Sequence, residues 1–269
     1  MTPLLGIISP HMDDAVLSCG QLLAASPGSH VVTIFSGGPQ SVRRLPQWDE
    51  LSDQFKPGDD VMALRREEDR AALRLLDARA HHLDFWDVQY RAGQRVFRPH
   101  RVDAALRSAR AQFGAQILLP RIEDRLLAVV QNTNVPNWLI PLGLWHADHR
   151  LANRACLRVA RKAPEKNWWI YEDLPYALEL ADEVGAALNK LRRNGWRAEP
   201  VDIGAGGDRE RKRAAVRCYQ SQLKPLGQRT ELAIDGPEKF YGLVLANGRA
   251  RVLGTPTALG TVPFPQEQK

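Results

Sequence analysis

At 269 residues the chain is long enough for one large domain or two small ones at about 150 residues each, and 37 Lys and Arg against 31 Asp and Glu leave it at +6. Its 44% hydrophobic and 25% charged content excludes a fibrous or disordered chain. Three scattered cysteines, Cys19, Cys156 and Cys218, exclude a disulfide framework. No apolar run reaches the ~18 residues of a membrane span. Met1-Thr2-Pro3 lacks the basic start and long apolar stretch of a signal peptide, so the expectation is a cytoplasmic protein. Arginine alternates with acid in Arg65-Arg66-Glu67-Glu68-Asp69-Arg70, the pattern of a solvated helix face. No zinc-finger spacing, aromatic RNA-binding motif or basic arm is present, and nucleic acid is not expected as a partner.

In chain order, Leu4 to Ser9 is an apolar run of strand length, Asp14 to Ala25 has helical recurrence, and His30 to Phe35 is β-branched. Strand, helix, strand is the βαβ unit of a parallel sheet. A helix follows over Asp59 to Leu76, with a third strand at His82 to Trp86. Val102 to Phe113 reads as a helix and Ala115 to Pro120 (AQILLP) as a fourth strand. Ala147 to Ala160 is helical, Trp168 to Tyr171 is a fifth strand, and Leu178 to Leu191 and Asp208 to Leu223 are later helices. Tyr241 to Leu253 carries Asn247-Gly248 at its centre, a hairpin signal. The alternation predicts a Rossmann-like three-layer α/β/α sandwich with a mostly parallel sheet and a C-terminal β-hairpin. With no repeat or linker, residues 1–269 read as one domain.

Gly37 to Gly58 and Glu123 to Leu144 break this rhythm as long connections, which are disproportionately functional. They hold Trp48 and Trp138, with Trp145 just beyond. Ligands of open α/β sheets bind past the carboxyl ends of the strands, where both segments could arch.

Two segments carry chemistry. Ser9-Pro10-His11-Met12-Asp13-Asp14 follows the first strand, at the edge where such folds bind ligands; Asp13 or Asp14 could equally cap the next helix. Trp145-His146-Ala147-Asp148-His149 opens a later helix, where the two histidines, three apart, can reach one site. Together, His11, Asp14 and His149 would match the three protein ligands of catalytic zinc. Asp13 and His146 would remain beside the metal to move protons.

These segments, PHMDD and HADH, resemble the His-Pro-Asp-Asp and His-x-Asp-His patterns of the PIG-L/LmbE family of zinc-dependent N-deacetylases, which act on N-acetylglucosaminyl compounds. RREEDRAALRLL, LDFWDVQYR, YEDLPYA at Tyr171 to Ala177, KRAAVRCYQSQ from Lys212 and EKFYGL from Glu238 extend the resemblance along the chain. It implies zinc, or another divalent metal such as Fe2+, on His11, Asp14 and His149. It further implies Asp13 as general base, His146 as an imidazolium that stabilises the oxyanion, and Asp148 orienting His146 and raising its pKa. The implied partner is a small-molecule N-acetyl amino-sugar conjugate; a homo-oligomer is compatible with the family. Met12 departs from the family's Pro, Ala15 from a common Glu, and Leu144 stands where some members carry Tyr.

Asp87 is a candidate for sugar hydroxyls, Arg65 for a polar group on the aglycone, and Trp145, with Trp48 and Trp138, for a sugar face. For the Arg65–Arg66 pair a surface salt-bridged helix is the blander alternative, and a tryptophan is more often packing. Cys19 reads as a buried small hydrophobe. His30, His81, His82 and His100 have no evident partners. A non-catalytic sugar-binding protein with the same fold is the alternative; the full proton-transfer set argues against it. A nucleotide-binding fold is disfavoured because SPHMDD lacks a G-x-G-x-x-G turn.

Overall fold

The apolar opening run forms β1 (Leu5–Ser9), buried at every residue, in a computed structural model that describes residues 4–91, 104–203 and 207–246, with 104–115 by backbone alone. Helix α1 (Asp14–Ala24) and β2 (His30–Thr33) complete the expected βαβ unit. Then come α2 (Gln47–Glu50), α3 (Val61–Leu75), β3 (Arg79–His82), α4 (Val88–Arg91), α5 (Ala104–Asn132), β4 (Asn137–Pro141), α6 (Ala147–Lys162) and β5 (Asn167–Tyr171). The last third contributes α7 (Tyr176–Glu179), α8 (Ala181–Arg193), β6 (Trp196–Val201), α9 (Arg209–Val216), α10 (Gln220–Leu226), α11 (Arg229–Asp235) and β7 (Phe240–Leu245).

The seven strands lie in the order β3-β2-β1-β4-β5-β7-β6. All neighbours from β3 to β5 pair in parallel, and β7 runs antiparallel between β5 and β6. After β1 the chain moves outward to β2 and β3, then returns to place β4 on the other side of β1. Right-handed crossovers in opposite directions put their helices on opposite faces of the sheet. The carboxyl ends of β1 and β4 are therefore the switch point, where doubly wound sheets open a crevice. His11 follows β1 and His149 follows β4, so the topology itself brings the two segments together.

Two strand assignments need correction. Ala115 to Pro120 is not a strand but part of the 29-residue α5. A short apolar run suits either state, and the deciding feature is the continuation: Leu119, Ile122, Leu126 and Val130 recur at helical spacing and are buried. The true fourth strand, Asn137–Pro141, lies inside the segment read as a long connection, so Glu123 to Leu144 is no lid. The third strand begins earlier than expected, at Arg79, and Asp84 and Trp86 make only isolated bridges to Phe35 and Gly37. The first long connection, Gly37 to Gly58, holds only the four residues of α2. The first arm of the expected hairpin is β7, and the rest, from Asn247 to Leu253, lies outside the described residues.

Packing explains several residue choices. Trp138 on β4 is fully buried, with its indole donating to the Val135 carbonyl at 3.1 Å; it belongs to the core and touches no sugar. Its ring lies over Gly6, where an added Cβ would come within 2.5 Å. Helix α1 kinks at Cys19 (φ −136°, ψ 20°), and the Glu238 carboxylate accepts the Gln21 and Leu22 amides there at 2.8 and 3.1 Å. Lys212, wholly buried, pairs with the same carboxylate at 2.9 Å. Cys19 is buried as expected, and burial pushes its thiol pKa well up, which makes it a poor nucleophile.

Candidate metal and catalytic site

The turn after β1 presents its polar side chains inward. Asp14 Oδ2 accepts the His11 amide at 2.8 Å, which folds the His11–Asp14 turn on itself. Neither Asp13 nor Asp14 spends its side chain capping α1. The same Asp14 oxygen stands 3.2 Å from His11 Nδ1 and 3.1 Å from His149 Nε2. In a tetrahedral site with ligand bonds of about 2.0–2.2 Å, neighbouring donor atoms are about 3.3–3.6 Å apart. Two imidazoles and one carboxylate, all buried, with the two edges at Asp14 close to that length, fit a divalent cation. His146 joins them: its donor nitrogen lies within 4.8 Å of those of His11 and His149.

The electrostatics point the same way. Burial would lower the His149 pKa, but Asp14 and Asp173 outweigh it and hold it at about 9. Burial likewise opposes the charge on His11, yet Asp87, Asp14 and Asp148 raise it well above the usual histidine range. Burial would raise Asp14, and His149 and His11 together hold it well below the carboxylate range. The cluster attracts positive charge, which protons supply when no cation does.

Asp13 lines a cavity of about 260 Å3 shared with His11, Asp14, Asp87, His146 and Arg65. Burial and neighbouring Asp14 raise the Asp13 pKa, while Arg65 and His11 hold it back. Arg65 is not part of a solvated face: it is 4% exposed and lies 3.9 Å from Asp13 and 3.8 Å from Asp87. Helix α3 in fact turns several of its charges inward. Arg66 donates to the Ser36 carbonyl at 2.8 Å, Glu68 accepts the Ser221 amide at 2.8 Å, and Asp69 meets His82 Nε2 at 2.7 Å. His30 and His81, without evident partners in the sequence, face one another, Nδ1 to Nε2, at 2.9 Å. His100 lies outside the described residues.

One expected relationship is corrected. Asp148 does not orient the His146 ring. Its carboxylate, fully buried, faces His11 Nε2 at 3.3 Å, accepts the Val88 amide at 2.9 Å and pairs closely with Arg91. His146 caps α6 instead, its Nδ1 accepting the Asp148 backbone N–H at 3.3 Å. Burial, followed by the nearby charges of His11 and His149, lowers the His146 pKa to about 4, against the smaller opposing pull of Asp148. With Nδ1 accepting that N–H, a neutral ring carries its proton on Nε2, where the family resemblance implies an imidazolium.

Sequence reasoning passed over three residues. Asp173 Oδ1 is 2.7 Å from His149 Nδ1. Tyr176 stands edge-on to the His149 ring, with centroids 5.4 Å apart. Tyr219 reaches the Met12 carbonyl at 2.9 Å and Asp69 at 2.7 Å. The signal for the first was available: Glu172-Asp173 directly follows a buried strand at its carboxyl end, where polar residues do not serve packing.

A two-histidine, one-carboxylate donor set beside a separate carboxylate, at the switch point of a doubly wound sheet, is the arrangement of a metal-assisted hydrolase. A family model described as PIG-L, GlcNAc-PI de-N-acetylase, matches residues 7–160. A 2'-N-acetylparomamine deacetylase from Niallia circulans is 30% identical over 250 residues, 85% of this chain and 84% of that protein. The solved A40926 pseudoaglycone deacetylase superposes with a TM-score of 0.68 at 24% identity, over 92% of this chain and 100% of that one. A deacetylase from teicoplanin biosynthesis gives 0.69 at 24% identity, over 90% and 98%. The chain belongs to the PIG-L family and is a hydrolytic N-deacetylase. No helix among the described residues is long and apolar enough to cross a membrane.

Proposed function

We propose that this protein is a zinc-dependent enzyme that removes the N-acetyl group from an N-acetylglucosaminyl-type conjugate, releasing acetate and a free amine, and that residues 1–269 act as one catalytic domain. The observation that carries the metal reading is the single Asp14 oxygen held between two imidazole nitrogens at 3.2 and 3.1 Å. His11, Asp14 and His149 would hold the ion, which when bound polarises an acetamide carbonyl and lowers the pKa of water to about 7.

The remaining work falls to the chain's own groups. Asp13, a carboxylate on the cavity wall that is not needed as a ligand, takes the proton of the attacking water and returns it to the departing nitrogen as the C–N bond breaks. General base catalysis of this kind contributes about 10²–10⁴ in rate. His146 offers Nε2–H as a neutral hydrogen-bond donor to the carbonyl oxygen as it gains negative charge. Asp87 meets the sugar's hydroxyls, and Arg65 a polar group on the aglycone. Asp148 supports His11 and Arg91, a different task from the one its position beside His146 suggests.

The Niallia circulans relative is named for 2'-N-acetylparomamine, so that compound is the first substrate to try. The test is acetate release by zinc-loaded and chelator-stripped protein over a panel that includes it. Release that survives exhaustive removal of metal would overturn the zinc reading, and silence across the panel the substrate reading.

A further inference from the structure

Trp145 sits at φ 49°, in the left-handed region where a bulky side chain is a genuine outlier. Strain of this kind persists only where the surroundings over-determine it, and it gathers at ligand sites. Here the surroundings do so: Glu183 accepts the Trp145 amide at 3.1 Å, Asp173 accepts the Leu144 amide at 3.2 Å, and the Leu144 carbonyl accepts the His146 amide at 2.6 Å. The indole so held is 52% exposed, unlike the buried Trp138, Trp168 and Trp196. One face stacks on Tyr176, with centroids 5.7 Å apart and planes 17° apart, and Tyr176 in turn abuts His149. The residue lines the site cavity yet buries too little of itself to be there for packing.

The cavity's size completes the argument. At about 260 Å3 it is below the roughly 300–1,000 Å3 of sites that enclose drug-sized ligands. It suits one sugar ring with its acetamide, and a second ring linked to the first falls on the rim. We propose that the outward face of Trp145 is the platform for that second ring, a specificity-determining contact at the rim of the site. The apolar C–H face of a saccharide or cyclitol ring complements the negative face of an indole. This inference rests on the proposed N-acetylglucosaminyl substrate and deepens it by naming a residue that selects for what is attached to that sugar.

The test compares N,N′-diacetylchitobiose with free N-acetylglucosamine on zinc-loaded wild type, Trp145→Ala, Trp145→Asn and Trp145→Phe. Asparagine tolerates the left-handed backbone, so Trp145→Asn keeps the turn if alanine loosens it. The ratio of kcat/KM for the two-ring over the one-ring substrate is expected to fall about tenfold in the Ala and Asn variants, the scale of one aromatic contact. The loss should lie in KM, and Phe should restore the ratio. An unchanged ratio in both Ala and Asn variants overturns the platform. Calorimetric binding of diacetylchitobiose to wild type and Trp145→Asn needs no turnover. If wild type released no acetate from either sugar, neither would be its substrate, while an approximately tenfold weaker binding in Trp145→Asn would still support the platform. Equal affinity in the two proteins, or none in either, overturns it.

Discussion

Asp173 grips His149 from behind: its Oδ1 lies 2.7 Å from His149 Nδ1, while its Oδ2 accepts the Gly143 and Leu144 amides at 2.8 and 3.2 Å. One carboxylate thus fixes both the tautomer of a proposed metal ligand, leaving Nε2 free to coordinate, and the loop that carries it. Such partners behind a ligand are typically worth about 10–100-fold in metal affinity. Asp173→Ala is expected to weaken zinc binding by that factor, measured by competition with a chromogenic chelator, and Asp173→Asn by less. Unchanged affinity in the alanine variant would remove Asp173 from the account.

Asp13→Asn should retain zinc and thermal stability while losing about 10²–10⁴ in kcat, because an amide cannot take up the proton of water. Metal analysis and acetate release on the same preparation check this. Near-normal turnover would assign the base elsewhere.

His146 is expected to act through a neutral N–H. His146→Ala should lower kcat by about 10²–10³ with zinc content intact. It should also lower Tm, since the ring caps α6 and losing a cap costs about 1 kcal/mol. His146→Asn separates the two effects: a short amide can restore the cap but not the reach, so Tm should recover while kcat stays low. Recovery of both would make the histidine a structural cap only.

Stability should respond to acid through His30 and His81. Burial, then the charge of His81 on His30 and of His82 on His81, with Arg79 beside both, lowers both pKa values below 6.5. Between two imidazoles sharing one hydrogen bond at 2.9 Å only one proton fits. A group whose folded pKa is depressed binds more protons unfolded, so stability is fully present above about pH 6.5 and declines as pH falls below it. His81→Gln should flatten the decline of Tm between about pH 6.5 and 5. An identical pH dependence in wild type and variant would exclude the pair as its source.

The sequence disclosed the fold class and the two polar segments that meet at its switch point, and less of what surrounds them. PHMDD can be read because polar residues directly after an apolar strand have no packing reason to be there, and HADH because its two histidines, three apart at a helix start, can reach one site; the switch-point topology then brings them together. AQILLP misled because three apolar residues in a row satisfy a buried strand and a buried helix alike; only the spacing from Leu119 to Val130 separates them. Asn137–Pro141 was hidden by its polar and proline ends. The charge run of α3 looked solvated because alternation reveals nothing about direction, and Arg65, Glu68 and Asp69 point at partners up to 153 residues away. The tasks of His146 and Asp148 were out of reach for the same reason: proximity in sequence does not say which neighbour a carboxylate turns to.

The Tyr219 bond to the Met12 carbonyl joins residues 207 apart, and Glu238 closes the kink of α1 from 217 away. On the ribosome every proposed donor has emerged once His149 is out, before Tyr219 or Glu238 has been added. The order of synthesis is therefore the reverse of the order of support, and a nascent chain carries its donors with nothing yet to aim them. Rigidity at this centre is a property of the finished chain, conferred by its last third.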